Sequence, residues 1–324
     1  MKGLVYTKPG GLEVLKIMEV PKPVPKDDEV LVNIKASALN IIDYERFKNL
    51  DGKMGLLPRI VNTVQGSTGK VLGCEGSGVV AQVGKDISHV KIGDEVYGRT
   101  PGIVGSGAWA EYAIMEKDHV GHKPFNLSFE EASAIPISGE TALGGIRKAG
   151  IKPGQQVMIY GASGGVGQYA IQFAKALGAT VTGVCSTRNQ EIARSLGCDY
   201  VIDYKKEDFR KVGRKFDAII GINGNNSMGD YKKLLKDNGV FVGIGGAKQA
   251  MKALFNTPFS KHFTFYAAPL APVEDYLTYP KELAESGQLR PYIDKVYPIQ
   301  DVSGAIRYVV TQHTKGKVVL SMDF

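Results

Sequence analysis

Residues 156–178 read QVMIYGASGGVGQYAIQFAKALG. Gln156 to Tyr160 carries no charge and reads as a short buried strand. A glycine-rich turn follows. Val166, Ala170, Phe173, Ala174 and Leu177 then recur at helical spacing, and Gly178 supplies a usual helix stop. Strand, turn and helix thus carry the spacing A-x-G-x-x-G on Ala162, Gly164 and Gly167, with alanine where a first glycine is commoner. Small residues let a backbone approach a pyrophosphate, whose charge sits against the positive end of the helix. A turn rich in glycine only for tight packing is the alternative, and the next strand argues against it. Thr180 to Cys185 ends about twenty residues past the turn, where the ribose contact of such a motif falls. An NAD enzyme would place Asp or Glu there. Here the stretch is Cys185-Ser186-Thr187-Arg188-Asn189, and the first acid is Glu191, already in the next helix. Hydroxyls and a guanidinium attract a 2′-phosphate that a carboxylate would repel, so the expected cofactor is NADPH.

Outward from this stretch the chain changes character. From Met1 to about Pro124 the signals are β: Gly3–Tyr6, Glu13–Glu19, Glu29–Ala36, Gly76–Val83, Asp94–Tyr97 and Ala108–Met115 read as strands. A short helix is expected over Asn40–Lys48 and an irregular loop over 50–70. Many short strands with regular turns indicate a compact β-rich domain, a barrel or partial barrel. Beyond Asn126 the pattern alternates. Ser128 with Glu131 forms a capping box for one helix, and Gly139–Ala149 gives another. Strands at 156–160, 180–185, 199–202, 217–222, 239–244 and 262–267 predict an α/β fold with a doubly wound, six-stranded parallel sheet. Helices at Val273–Ser286 and Val302–Thr311 and a strand at Lys317–Met322 complete the chain. That tail is too small for a domain of its own and is expected to pack on the N-terminal one. The expected division is 1–125 with 269–324, and 126–268.

The 324 residues suffice for about two domains with cores of their own. At 43% hydrophobic and 23% charged the composition is that of a globular protein, with no run able to cross a bilayer and no leader pattern at Met1-Lys2. The cytoplasm is the simplest address. A net charge of +7 comes from scattered Lys and Arg without a nucleic-acid-binding motif, which suits attraction of a polyanionic cofactor. Cys74, Cys185 and Cys198 form no C-x-x-C pair or disulfide framework, as expected in a reducing compartment. A structural zinc would want four thiolate or imidazole ligands close together.

Several pieces together are specific to one superfamily: Val83-Gly84-Lys85, Ile92 to Gly98 (IGDEVYG), Trp109-Ala110-Glu111-Tyr112, the GASGGVG turn, Tyr297-Pro298-Ile299, and the run from His313 to Val319. On these the chain resembles, nearly end to end, the zinc-independent quinone oxidoreductase branch of the medium-chain dehydrogenase/reductase superfamily. The resemblance implies a GroES-like catalytic domain interrupted by a Rossmann domain, and a homodimer. The zinc alcohol dehydrogenases of that superfamily place Cys, His and Cys as catalytic metal ligands. The matching places here hold Asn40, Cys74 and Ser138, and one thiol does not make a zinc site.

By the same resemblance Ser163, Gly164, Gly165, Val166 and Gly167 line the pyrophosphate. Ser186 and Arg188 hold the 2′-phosphate with Thr187 close by, unless Arg188 is only a solvated helix-start residue. Tyr204 corresponds to a tyrosine near the adenosine phosphate, or is a half-buried aromatic at a strand end. Lys317 matches a basic residue that reaches the cofactor phosphates, or is a surface lysine. Asn40, Thr141 and the backbone of Gly243, Ile244 and Gly245 fall near the nicotinamide. Asn40 would polarise a carbonyl in a metal-free site, its alternative being a helix cap. Tyr44 donates a proton or shapes the pocket. No histidine has a telling partner by spacing.

Without a metal, hydride transfer rests on positioning and hydrogen bonding, which suits acceptors that take hydride readily. The expected activity is NADPH-dependent reduction of quinones or α,β-unsaturated carbonyls. Its alternatives are a dedicated enone or enoyl double-bond reductase, or an NADPH-binding redox sensor with little turnover.

Overall fold

The structure is a computed structural model that describes residues 1–6, 11–48, 71–101, 107–222, 226–244, 262–267, 273–311 and 314–324, with the backbone alone at 45–48. The expected loop 50–70 and Gly245 lie outside the described residues. Along the chain run β1 (Lys2–Tyr6), β2 (Leu15–Glu19), β3 (Glu29–Ala38), α1 (Ile41–Lys48), β4 (Glu75–Val83), β5 (Glu95–Arg99), β6 (Tyr112–Glu116), β7 (Val120–His122) and α2 (Phe129–Ser133). Next come α3 (Pro136–Ala149), β8 (Gln156–Tyr160), α4 (Gly167–Ala176), β9 (Thr180–Cys185), α5 (Gln190–Ser195), β10 (Tyr200–Asp203), β11 (Phe216–Gly221), α6 (Met228–Leu234), β12 (Leu235–Ile244) and β13 (Phe263–Tyr266). The chain closes with α7 (Thr278–Glu285), β14 (Ile293–Pro298), α8 (Val302–Val310) and β15 (Lys317–Ser321).

Two compact units result, one of Met1–Ile137 with Ile293–Phe324 and one of Ser138–Tyr292. These limits fall later than the expected 125 and 268, for reasons visible in the packing. Ser77 donates its hydroxyl to the carbonyl of Phe129, and Ala134 is buried with Ala36, Ala38 and Val319, which ties α2 to the first unit. In the second unit the Tyr279 ring packs on Phe173, and the amides of Arg290 and Tyr292 donate to the Gln172 and Gln168 side chains, which holds 278–292 there.

The first unit is built on a seven-stranded sheet ordered β14-β15-β3-β4-β5-β7, with β6 also paired to β3, beside a β1-β2 ladder. Strand β3 is buried at all but two of its ten positions, since it lies inside the sheet and packs on both faces. Val30, Val32, Ile34, Trp109, Met115 and Ile306 share its main core. Strand β14, at the sheet edge, was not foreseen from the sequence. It is wholly half-buried or exposed, so Ile293 to Pro298 carries no apolar alternation. Helix α8 returns the chain from β14 to the parallel β15. Strand β6 covers only the end of the expected 108–115, and Ala110 makes a lone bridge to Gly3. Helix α7 is shorter than the expected 273–286 because Pro280, lacking an N–H, is accommodated in a first turn.

The second unit is a six-stranded sheet, parallel throughout, in the order β10-β9-β8-β11-β12-β13. The order reverses between β8 and β11, and ligands of such sheets bind at the carboxyl edge beside that switch. Helix α4 ends as its sequence predicts: the Gly178 amide donates to Lys175 O and that of Ala179 to Ala174 O, with Gly178 at φ +77°.

Candidate active site

In the second unit, the carboxyl ends of β8, β9, β10 and β12 carry most of the expected cofactor residues. After Tyr160 the amides of Gly161 and Ala162 both donate to Val184 O, which closes the turn onto β9. A Cβ on Gly167 would lie 2.2 Å from Gly161 O, so the turn and the start of α4 meet only with glycine there. A Cβ on Gly164 would meet nothing nearer than Gly161 O at 3.5 Å. The same motif thus has one glycine for packing and one that leaves room above the turn. The amides of a helix's first turn find no acceptor within the helix, so Gly165, Val166 and Gly167 sit where an anion is bound.

Ser163 is buried, and its Oγ accepts from Asn189 Nδ2 at 2.8 Å. That bond occupies a lone pair and leaves the Ser163 proton for another acceptor. Asn189 Oδ1 is itself buried without a hydrogen-bond partner. Ser186 is buried at the end of β9, and Arg188 is exposed in the single turn that follows. Thr187 is exposed, but its hydroxyl donates to Asp203 Oδ2 at 2.5 Å, so that proton is spent. The sequence reading passed over Asp203, which pairs with Cys185 across β9 and β10. The Thr187 hydrogen bond, with others from Lys205 N and Gln190, holds its carboxyl below the usual range, so it stays ionised and satisfied from inside.

Tyr204 is 49% exposed and lines a cavity of about 410 Å³ with Tyr160, Lys205, Lys206, Phe209 and Asn226. Arg210 also lines it, but its guanidinium is paired with Asp208. Lys205 and Lys206 therefore bring positive charge to the cavity beside the Glu207 carboxylate that also lines it, a signal visible as Tyr-Lys-Lys in the sequence and not used. Gly243 pairs with Gly221 and Phe265, and Ile244 is buried against the Cα of Gly145. Thr141 is half-buried on α3. An open turn, an orphaned carbonyl, two lysines lining the cavity and a carboxyl-edge position fit a dinucleotide.

The first unit holds a different cluster. Asn40 and Asp43 open α1, where Asp43 Oδ2 accepts the Asn40 amide at 2.8 Å. The helix is thus capped by Asp43, and the Asn40 side chain is directed elsewhere. Asn40 Nδ2 donates to Glu75 Oε1 at 2.7 Å, and Asn40 Oδ1 accepts from Lys317 Nζ at 2.8 Å. Lys317 Nζ also donates to Glu75 Oε1 at 2.8 Å, and Glu75 Oε2 accepts the Ile137 amide at 2.7 Å. The surface-lysine alternative is overturned: Lys317 is 4% exposed. Its ammonium is bound to Glu75 and Asn40, and Glu75 had drawn no attention from the sequence. A carboxylate at the head of a buried strand needs a cation, and that was the available signal. Tyr44 is half-buried against the same core.

Cys74 Sγ donates to Asp43 Oδ1 at 2.9 Å. Desolvation pushes the Asp43 carboxyl up to about 6, against the lowering pull of the Cys74 and Asn40 hydrogen bonds. Ser138, at the third place where zinc relatives bear a ligand, is buried in the second unit.

Residues 26–125 match the Alcohol dehydrogenase GroES-like domain family and residues 196–320 the Zinc-binding dehydrogenase family. The second description mentions zinc, whereas the ligand places here hold an amide, a thiol hydrogen-bonded to Asp43, and a hydroxyl. The chain is 36% identical to a 2-methylene-furan-3-one reductase of Solanum lycopersicum, over 99% of this chain and 79% of the relative. It is 32% identical, with the same shares, to a chloroplastic NADPH-dependent alkenal/one oxidoreductase of Arabidopsis thaliana. Among solved structures, the quinone oxidoreductase from Coxiella burnetii superposes with a TM-score of 0.85 at 29% identity, covering 99% of each chain. By fold and by sequence, this chain belongs to the zinc-independent, quinone oxidoreductase-like branch of the medium-chain dehydrogenase/reductase superfamily.

Proposed function

We propose that this protein is an NADPH-dependent reductase of quinones or α,β-unsaturated carbonyls that works without a metal. The observation that carries the proposal is the second unit's carboxyl edge. An open glycine turn, the Ser186 hydroxyl and Arg188 after β9, and Lys205 and Lys206 beside Tyr204 suit a phosphorylated dinucleotide. Names of the relatives, one NADPH-dependent and all acting on quinones or enones, support the same reading. When bound, the nicotinamide supplies a hydride.

The residues do the rest. Ser163 directs its free proton toward the pyrophosphate while Asn189 holds its oxygen. Ser186 and Arg188 take the 2′-phosphate. Thr187 lies beside that phosphate but does not donate to it, because Asp203 has its proton. Thr141 and the backbone at Gly243 and Ile244 flank the ring. Asn40 draws on the acceptor's carbonyl oxygen, and Tyr44 shapes the site or passes the proton. Three buried cysteines without a disulfide suit a reducing compartment, and the cytoplasm and a homodimer remain part of this proposal. Among the described residues no helix is long and apolar enough to cross a membrane.

Deuterium at C4 of the nicotinamide tests the chemistry directly. With but-3-en-2-one as acceptor, the label is expected on the β-carbon of the saturated ketone. Label on the carbinol carbon of an unsaturated alcohol would instead mean carbonyl reduction, and would overturn the proposal.

A further inference from the structure

Asn40, Glu75 and Lys317 are far apart in sequence, yet the sheet order β15-β3-β4 brings them together. Asn40 follows the end of β3, Lys317 starts β15 on one side of it, and Glu75 starts β4 on the other. Val319 pairs with Ala38 and Ser77 with Ala36, so the two charges flank the amide by register. Both are buried, the Lys317 side chain at 4% and that of Glu75 at 0% exposure. Burying an ion pair seldom stabilises more than apolar residues of similar size would, so its presence calls for a role beyond the core.

Chemistry fixes the orientation of Asn40 between them. An ammonium can only donate and a carboxylate only accept, so Oδ1 faces Lys317 and Nδ2 faces Glu75. The other Nδ2 proton reaches Ala38 O at 3.4 Å, a long bond that an arriving oxygen would readily replace. Donation by Lys317 to Oδ1 also polarises the amide and strengthens its N–H as a donor. Without the pair the amide is free to turn its own oxygen toward the acceptor, which a carbonyl would avoid.

We propose that Lys317 and Glu75 are positioning residues that lock Asn40 as a hydrogen-bond donor to the acceptor's carbonyl. This rests on the reading of Asn40 as the group that polarises the acceptor. The test uses the NADPH-saturated protein with but-3-en-2-one, and compares wild type, Asn40→Ala, the pair Glu75→Gln/Lys317→Met, and the triple variant. The paired change is expected to leave the NADPH Kd within threefold and to lower kcat tenfold or more. In the Asn40→Ala background it should lower kcat by less than a further twofold, a coupling that a merely structural role would not produce. Lys317→Arg, which keeps the donor and the charge, should restore most of kcat. If melting curves show that the paired variant does not fold, Lys317→Gln, a neutral donor, takes its place, with kcat expected to fall threefold to tenfold. A tenfold rise in NADPH Kd with kcat retained would overturn the proposal and return Lys317 to the phosphates. Full additivity with Asn40→Ala would overturn it too. An unchanged kcat in Asn40→Ala alone would instead overturn the reading of Asn40 beneath it.

Discussion

In the proposed function single side chains select the nicotinamide, and single side chains also set how buried charge responds to pH. Arg188 stands where a carboxylate would select the unphosphorylated ribose. A hydrogen bond to a charged group contributes about 1.5–3 kcal/mol, so Arg188→Glu should weaken NADPH at least about tenfold while leaving NADH nearly unaffected. Equal NADPH affinities in titrations of the two proteins would refute the assignment. Asp43 offers a second test. Its carboxyl is held near 6 in the folded protein against an ordinary 3.8, so between these values the folded state binds more proton than the unfolded one. The stability this contributes is fully present below the ordinary value and is lost as pH rises through about 6. Asp43→Asn cannot titrate. The difference in unfolding free energy should therefore move in the variant's favour by about 2 kcal/mol between pH 4 and pH 7. A difference that stays constant across that range would contradict the buried, raised carboxyl.

At the scale of elements, the strand–turn–helix over 156–178 was legible because its signal is local. Alternation, glycine spacing and the Gly178 stop all arise from neighbours in sequence, as does the capping box of Ser128 and Glu131. The two glycines of the turn make separable predictions. Gly167→Ala drives a methyl into Gly161 O and should cost about 1–3 kcal/mol of stability, read as a lowered melting temperature. Gly164→Ala makes only an ordinary contact with Gly161 O at 3.5 Å, so stability should hold within about 0.5 kcal/mol while NADPH affinity falls severalfold. Loss of stability in both, or in neither, would mean that the turn is not built as described. What sequence could not show was long-range. Glu75 lies within a strand of small and apolar residues, and its cation comes from β15, 242 positions away. Asp203 was passed over because its partner Thr187 sits on the neighbouring strand's loop. Edge strand β14 carries no periodic pattern because neither of its faces is fully covered.

As a whole molecule, the chain divides its labour between a parallel sheet that can hold a dinucleotide and a β-rich unit that buries Asn40 between two charges. The places of catalytic zinc ligands are occupied by Asn40, Cys74 and Ser138, a poor donor set, so prolonged chelation should change neither activity nor melting temperature. A large loss of either would show that Cys74 has partners of another kind. The most direct test of the central claim is nicotinamide oxidation by the purified, chelator-treated protein. NADPH and NADH are supplied in turn, with a simple quinone, an enone and a saturated aldehyde as separate acceptors. The account predicts oxidation of NADPH by the quinone or the enone, slower oxidation of NADH, and none with the aldehyde. Tight NADPH binding with no oxidation by any acceptor would contradict it.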